Sequence, residues 1–131
     1  QEITEGLYRG AHEAVVKCGV SESDIERFEV PGSYELVYGA KLAAQKRNLD
    51  AVICLGSVIR GETAHFDYVC SAVAQGIKDL NIQLNVPVIF GVLTDDNIEQ
   101  SRARSGGKHG NKGTEVGVTA VKMVALERRL S

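Results

Sequence analysis

Residues 51–56 have the sequence Ala51-Val52-Ile53-Cys54-Leu55-Gly56, a run of five apolar residues that ends at a glycine. Such a run is typical of a strand that helices cover on both faces of a parallel sheet. A second run of this kind occupies residues 87–93, with the sequence Pro87-Val88-Ile89-Phe90-Gly91-Val92-Leu93. Between the two runs, apolar residues recur at helical spacing at Phe66, Val69, Cys70, Val73, Ala74 and Ile77. The order strand, helix, strand predicts a parallel sheet.

The same alternation extends toward both ends of the chain. Upstream we predict a helix whose apolar residues run from Ile3 to Cys18 and which is stopped by Gly19. A short strand over residues 25–30 and a helix from Ser33 or Tyr34 to about Lys46 follow it. Downstream, Thr94, Asp95 and Asp96 offer N-caps for a helix that runs to about Arg104, a glycine-rich loop covers residues 105–113, and a last helix follows. The pattern predicts one α/β domain over residues 1–131, with a three-layer, flavodoxin-like fold around a parallel sheet.

The order of the elements also predicts a gap at the front of the fold. The chain opens on a helix, whereas a doubly wound sheet usually opens on a strand. We therefore expect the first strand of the sheet to be absent from this sequence. Gln1 is then not the native start, and roughly 15–30 residues, about two strand lengths and a turn, precede it in the native protein.

Composition argues against several classes of protein. The 15 Lys and Arg residues against 17 Asp and Glu residues leave a net charge of −2 without a basic block, unlike a nucleic-acid-binding protein. No apolar run approaches the ~20 residues that span a bilayer, and the first residues lack the features of a signal peptide. The three cysteines, Cys18, Cys54 and Cys70, lie among apolar neighbours. They predict reduced core residues of a cytoplasmic protein rather than a disulfide framework or a metal site.

Ligands of open α/β sheets bind beyond the carboxyl ends of the strands, where several chemically useful residues fall. Backbone amides of Gly61-Glu62-Thr63, between a strand and a helix, would form a seat for phosphate, although a plain turn and cap would have the same sequence. His65 is a candidate for proton transfer near neutral pH, with a surface or capping histidine as the alternative. Arg104 is either a bidentate phosphate ligand or a cation that stabilises a helix end. The 32–35 turn could contact a ligand or simply start a helix, and Phe90 is by default a core residue.

Taken together, these segments resemble the signature sequences of lumazine synthases. The central signature corresponds to residues 56–68, Gly-Ser-Val-Ile-Arg-Gly-Glu-Thr-Ala-His-Phe-Asp-Tyr, and an upstream motif to residues 30–35, Val-Pro-Gly-Ser-Tyr-Glu. Downstream, residues 87–94, Glu99-Gln100 and residues 107–113 match in order and spacing. The similarity covers essentially the whole chain, and several motifs in one order are far more specific than any single motif.

The resemblance implies a reaction that needs neither a cofactor nor a metal. Lumazine synthases condense 5-amino-6-(D-ribitylamino)uracil with 3,4-dihydroxy-2-butanone 4-phosphate to 6,7-dimethyl-8-ribityllumazine, with release of phosphate and water. By analogy, His65 transfers protons, and Glu62, Thr63 and Arg104 bind the phosphate. Lys108 and Lys112 would add to the positive field. The residues that would hold the pyrimidine substrate are Ser33, Tyr34, Glu35, Ser57, Val58, Ile59 and Phe90.

The resemblance also implies an assembly. We expect a homopentamer that forms a shell of sixty subunits, since the 105–113 loop lacks the insertion that is frequent in relatives that stay pentameric. Arg104 would then serve a neighbouring subunit's site, and the shell would associate with riboflavin synthase. The sequence departs from the family's pattern at Val37, where many relatives have proline, and at Ala64, where Pro or Thr is commoner. It also lacks the family's first strand, with an aromatic residue that stacks on the pyrimidine.

Two other functions fit parts of the sequence. The first is a non-catalytic, cage-forming protein of the same fold that binds a flavin or lumazine; the presence of both His65 and Arg104 favours the enzyme, because passive binding requires no proton transfer. The second is a riboflavin synthase of the archaeal type, which the Gly-Glu-Thr-Ala-His segment and the Gly-Asn-Lys-Gly loop fit less well.

Overall fold

The computed structural model describes residues 2–131, which form five α-helices, two longer strands and a small hairpin. The elements, in chain order, are α1 (Glu2–Lys17), α2 (Leu36–Lys46), β1 (Val52–Ile59), α3 (His65–Gln83), β2 (Val88–Asp95), α4 (Ile98–Arg104), β3 (Ser105–Gly107), β4 (Gly110–Asn111) and α5 (Lys112–Leu130). Short 3₁₀ turns cover Glu22–Asp24 and Ser33–Glu35. Among these residues, no helix is long and apolar enough to cross a membrane.

The two apolar runs form a parallel pair of strands with helices on both faces. β1 and β2 pair in register from Val52 opposite Val88 to Ile59 opposite Asp95. Cys54 and Val92 point into one core cluster, which α2 and α3 complete with Ala40, Val73, Ile77 and Leu80. Leu93 lies on the other face, against Ile3 and Leu7 of α1, and Ile89 packs there against Val116 and Ala120 of α5. This arrangement confirms the three-layer, flavodoxin-like architecture.

The layer formed by α1 and α5 depends on close approach of the two helices. A Cβ atom on Gly113 would overlap the carbonyl oxygen of Leu7, and one on Gly117 would lie 2.9 Å from the carbonyl oxygen of Ala11. Glycine is therefore required where the helices cross. The Asn111 side chain joins the same layer, since its Nδ2 donates to the carbonyl oxygen of Gly6 at 2.8 Å.

The strand predicted over residues 25–30 is wrong. The segment has no regular secondary structure, because a strand needs a neighbour to hydrogen-bond with and none pairs with it within residues 2–131. Side chains hold the segment instead. The guanidinium of Arg27 lies 4.0 Å from the ring centroid of Tyr8 and pairs with Glu5, which lowers the pKa of that carboxyl through the hydrogen bond from Arg27.

Two local predictions also need correction. The N-cap of α4 is Asn97, whose side chain accepts from the Gln100 amide at 2.9 Å, because β2 continues its pairing with β1 as far as Asp95. The 105–113 segment is a hairpin followed by the start of α5 rather than a loop. Gly106 (φ 115°), at the bulge of β3, and Gly110 (φ 83°), where β4 begins, use the left-handed backbone region that glycine tolerates.

The cysteines are free, as predicted, but only one of the three is a core residue. Cys54 is buried, Cys70 is half-buried and Cys18 is exposed just beyond the end of α1. The prediction of a core position is wrong for Cys18 because helix α1 ends at Lys17, and Cys18 lies in the exposed turn that follows.

Candidate active site

An open cleft of about 710 Å³ brings the 32–35 turn and His65 together. Its lining residues are Gly32, Ser33, Tyr34, Glu35, His65, Tyr68, Val69 and Ala72. The turn reaches this position because β1 has no side chain at Gly56, where a Cβ atom would lie 2.7 Å from the Ser33 hydroxyl oxygen. Three of the residues predicted to hold a pyrimidine thus lie beside the predicted proton-transfer residue.

His65 is the first residue of α3 and is exposed. Its backbone amide donates to the Thr63 hydroxyl at 3.3 Å, a local contact just before the helix, whose N-cap is Ala64. Within residues 2–131, no other group forms a hydrogen bond with the imidazole ring, so both ring nitrogens are available to a ligand in the cleft.

Arg60 holds the loop that carries Glu62 and Thr63. Its amide donates to the Asp95 carbonyl oxygen at 2.8 Å, and its Nε donates to the Asp96 carboxylate at 2.9 Å. The guanidinium also lies 3.5 Å from the Asp67 carboxylate, and its hydrogen bond to Asp96 raises the pKa of Arg60. Glu62 and Thr63 are exposed between these anchors, directly before α3. The loop is therefore tied both to β2 and to the first turn of α3.

Four other predicted pyrimidine ligands lie along the strands and do not line the cleft. Val58 and Phe90 are half-buried against the core cluster between the sheet and helices α2 and α3. The Ser57 hydroxyl lies 3.4 Å from the Ser101 hydroxyl, and Ile59 is exposed at the end of β1. A single chain thus brings Ser33, Tyr34 and Glu35 to His65, but not these four.

Arg104, the predicted phosphate ligand, lies at the end of α4 and does not line the cleft of His65. Its Nη1 donates to Asp95 Oδ1 at 3.3 Å and to the carbonyl oxygen of Gln100 at 3.2 Å. Lys108, in the turn between β3 and β4, is exposed, and Lys112 lies 3.5 Å from the Glu115 carboxylate. The phosphate candidates therefore fall in two places, the loop before α3 and the segment that follows α4.

Sequence reasoning missed residues of two kinds. Tyr68, Val69 and Ala72 line the cleft three, four and seven residues after His65, so the helical period of α3 would have identified them. The sequence pattern offers Asp95 as a helix cap, yet Asp95 is a buried residue at the end of a strand. Its partners lie on α4, and no local pattern indicates that contact.

Metal chemistry was not expected from the sequence. Of the residues that the structure describes, no three or more His, Cys, Asp or Glu side chains form a group that could hold a metal ion. Burial raises the pKa of the Cys54 thiol to about 12 and also raises that of Cys70. Neither thiol is therefore set up as a nucleophile, since the reactive form is the thiolate.

Comparison with known proteins connects the chain to a family. Residues 1–128 match the family model of 6,7-dimethyl-8-ribityllumazine synthase. A protein of that name from Christiangramia forsetii is 60% identical over 129 residues, which cover 98% of this chain and 77% of the relative. Its counterpart from Flavobacterium johnsoniae is 59% identical, over 98% of this chain and 68% of the relative, and that from Cytophaga hutchinsonii is 57% identical, over 95% and 79%. The chain therefore belongs to the 6,7-dimethyl-8-ribityllumazine synthase family.

Proposed function

We propose that this chain catalyses the condensation of 5-amino-6-(D-ribitylamino)uracil with 3,4-dihydroxy-2-butanone 4-phosphate in riboflavin biosynthesis. The products are 6,7-dimethyl-8-ribityllumazine, phosphate and water. The observation that carries the proposal is the match of residues 1–128 to the family, in a chain whose fold joins Ser33, Tyr34 and Glu35 to His65 in one cleft. The non-catalytic alternative has no observation of its own in its favour.

The chemistry assigns a role to each group. The free amine of the uracil attacks the ketone carbon, water leaves as the imine forms, and phosphate leaves before the ring closes with loss of a second water. Each step moves protons, which an imidazole with two available nitrogens can accept and donate. Because both substrates are reactive, holding them side by side supplies much of the rate enhancement. We assign proton transfer to His65.

Binding is divided between two sets of residues in this proposal. Glu62 and Thr63, through their amides at the start of α3, and Arg104 bind the phosphate, and Lys108 and Lys112 contribute positive charge. The pyrimidine substrate is held by Ser33, Tyr34, Glu35, Ser57, Val58, Ile59 and Phe90. Because Arg104 does not line the cleft of His65, we infer that complete sites form where two subunits meet.

The assembly and its location are part of the same proposal. A closed ring of five subunits would place Arg104 of one subunit at the cleft of the next, the head-to-tail contact that cyclic oligomers make. Twelve such rings would form a shell, which we expect to associate with riboflavin synthase in the cytoplasm. Exposed aromatic side chains at Tyr34 in the 33–35 turn, Tyr38 on α2 and Tyr68 on α3 support a subunit contact on this face.

Direct assay tests the activity. Purified protein is incubated with both substrates while the absorbance and fluorescence of the lumazine product are followed, and each substrate alone serves as the control. Product formation above the uncatalysed rate supports the enzyme. If the protein binds the lumazine product but does not accelerate its formation, the non-catalytic function replaces this one.

A further inference from the structure

Asp95 is a buried carboxylate with partners on α4. Its side chain is 10% exposed at the end of β2. Oδ2 accepts from the Ser101 hydroxyl at 2.9 Å, and Oδ1 accepts from Arg104 Nη1 at 3.3 Å. Ser101 is itself fully buried and lies 3.4 Å from the Ser57 hydroxyl of β1. A carboxylate is costly to bury unless its oxygens have partners, and here both oxygens have one.

The contacts of Arg104 leave one side of its guanidinium group open. A guanidinium has five N–H groups, and the two on Nη1 are directed to Asp95 and to the Gln100 carbonyl oxygen. Among residues 2–131, no acceptor hydrogen-bonds to Nε or Nη2. These two nitrogens form the edge that can bind two oxygens of a phosphate at once. The Arg104 side chain is 44% exposed, so an anion can reach this edge.

We propose that Asp95 is a positioning residue that holds Arg104 so that its Nε–Nη2 edge binds the phosphate of the butanone substrate. This inference rests on the proposed function. Asp95 acts through Arg104 and does not itself contact the substrate. An arginine side chain loses rotamer freedom when it binds a ligand, and a residue that orders it beforehand reduces that loss. The Ser101 hydroxyl donates to the other carboxylate oxygen and so fixes the orientation of Asp95.

A double-mutant cycle tests whether Asp95 acts through Arg104. The parent, Asp95→Asn, Arg104→Ala and the double variant are titrated with inorganic phosphate by calorimetry. We expect Asp95→Asn to weaken phosphate binding by about tenfold, equivalent to about 1.4 kcal/mol. In the Arg104→Ala background the same change should have no further effect. Unchanged or tighter binding by Asp95→Asn, or additive losses in the double variant, would overturn the proposal.

Asp50→Asn is the matched control for charge. Asp50 is exposed just before β1 and pairs with Arg128 rather than Arg104. It loses the same charge, and phosphate affinity should stay within about twofold of the parent's. Because Asp95→Asn could impair folding, Arg104→Lys provides a second test. Lysine keeps the charge without the two-nitrogen edge, so full phosphate affinity in that variant would contradict the assigned geometry.

Enzyme kinetics separate this inference from the proposed function. In an active enzyme, Asp95→Asn should raise KM for the butanone phosphate by about tenfold, while kcat and KM for the aminouracil change little. A general loss of structure would instead lower kcat and alter both KM values. If the parent forms no lumazine but the double-mutant cycle measured with inorganic phosphate behaves as described, the proposed enzyme activity is wrong and the positioning role stands. If the parent is active and the cycle is additive, the positioning role alone is wrong.

Discussion

The fold of the described residues leaves the side chain of His65 without hydrogen-bond partners and fixes that of Arg104. The imidazole of His65 has no hydrogen-bond partner within residues 2–131, whereas the guanidinium of Arg104 is fixed by Asp95 and by the Gln100 carbonyl oxygen. A free ring can exchange protons with a ligand, and a fixed guanidinium can bind an anion with little reorganisation. Changes at His65 should therefore affect the chemical steps, and changes around Arg104 should affect binding.

We expect His65→Gln to lower kcat by roughly 10²-fold or less and to change KM less than kcat, because general acid–base catalysis contributes about this much. The uncatalysed condensation is comparatively easy, so the smaller end of the range is expected. Steady-state kinetics between about pH 6 and pH 8 measure the effect. His12→Gln, on α1 outside the cleft, is the control. An enzyme with His65→Gln that matches the parent across this range would remove the assigned role.

Because of Cys54, we expect the free energy of unfolding to depend on pH in the alkaline range. Burial raises the pKa of its thiol from 9.0 to about 12 in the folded state. Below the unfolded-state pKa both states keep the proton, so folding is not penalised. As the pH rises from 9.0 toward 12, the unfolded chain loses the proton first, and stability decreases. The slope for one proton is at most about 1.4 kcal/mol per pH unit.

Urea denaturation of the parent and Cys54→Ala at several pH values above about pH 9 checks this sign. The variant should lose less stability per pH unit, whatever its stability at neutral pH. Cys18→Ala, at an exposed thiol, should keep the parent's slope. Equal slopes for the parent and Cys54→Ala would show that the Cys54 thiol does not contribute.

At the scale of elements, Asn81 joins the end of α3 to the start of β2. Its Nδ2 donates to the carbonyl oxygens of Val88 at 2.8 Å and Ile77 at 3.0 Å, and its Oδ1 accepts from the Val88 amide at 2.8 Å. The carbonyl group of Pro87 points toward β1, where it accepts from the Val52 amide. Backbone groups of successive strand residues point to opposite sides, so the N–H and C=O groups of Val88 point away from β1. Asn81 therefore supplies both hydrogen bonds that a further strand would otherwise make to Val88.

We expect Asn81→Ala to reduce the free energy of unfolding by about 1–3 kcal/mol, because buried Val88 loses both of these backbone partners. Urea denaturation gives the value directly. Gln83→Ala is the control, since Gln83 lies exposed in the last turn of the same helix. Its removal should change stability by less than about 0.5 kcal/mol. Equal losses in the two variants would mean that the contact of Asn81 with Val88 does not stabilise the fold.

At the scale of the whole molecule, the face formed by α2, α3 and the 33–35 turn carries exposed aromatic side chains. Tyr34 and Tyr38 are each 63% exposed and Tyr68 is 75% exposed. Tyr34 and Tyr38 also line a second cleft of about 300 Å³, beside Ala72 and Gly76. Aromatic residues next to small residues on an exposed face are typical of a surface that another subunit covers.

We expect light scattering to show a particle whose mass is that of five subunits or of a closed shell of sixty. Tyr38→Glu should dissociate it into smaller species, because it places a charge in the proposed contact. Ile82→Glu, at an exposed site near the end of α3, should leave the assembly intact. A parent that stays monomeric at micromolar concentration and is active would contradict the ring, and an unchanged mass for Tyr38→Glu would contradict the assigned face.

The sequence by itself determined the helices, the two apolar strands, the three-layer architecture and the family. These follow from hydrophobic period and local motifs, which a chain carries in consecutive residues. Tertiary structure alone decided the unpaired state of residues 25–30, the exposure of Cys18 and the contact of Asp95 with Ser101 and Arg104. Strand pairing and a buried carboxylate's partners depend on which elements meet in space. A local pattern specifies what each element is, but not which side chain of another element it will contact.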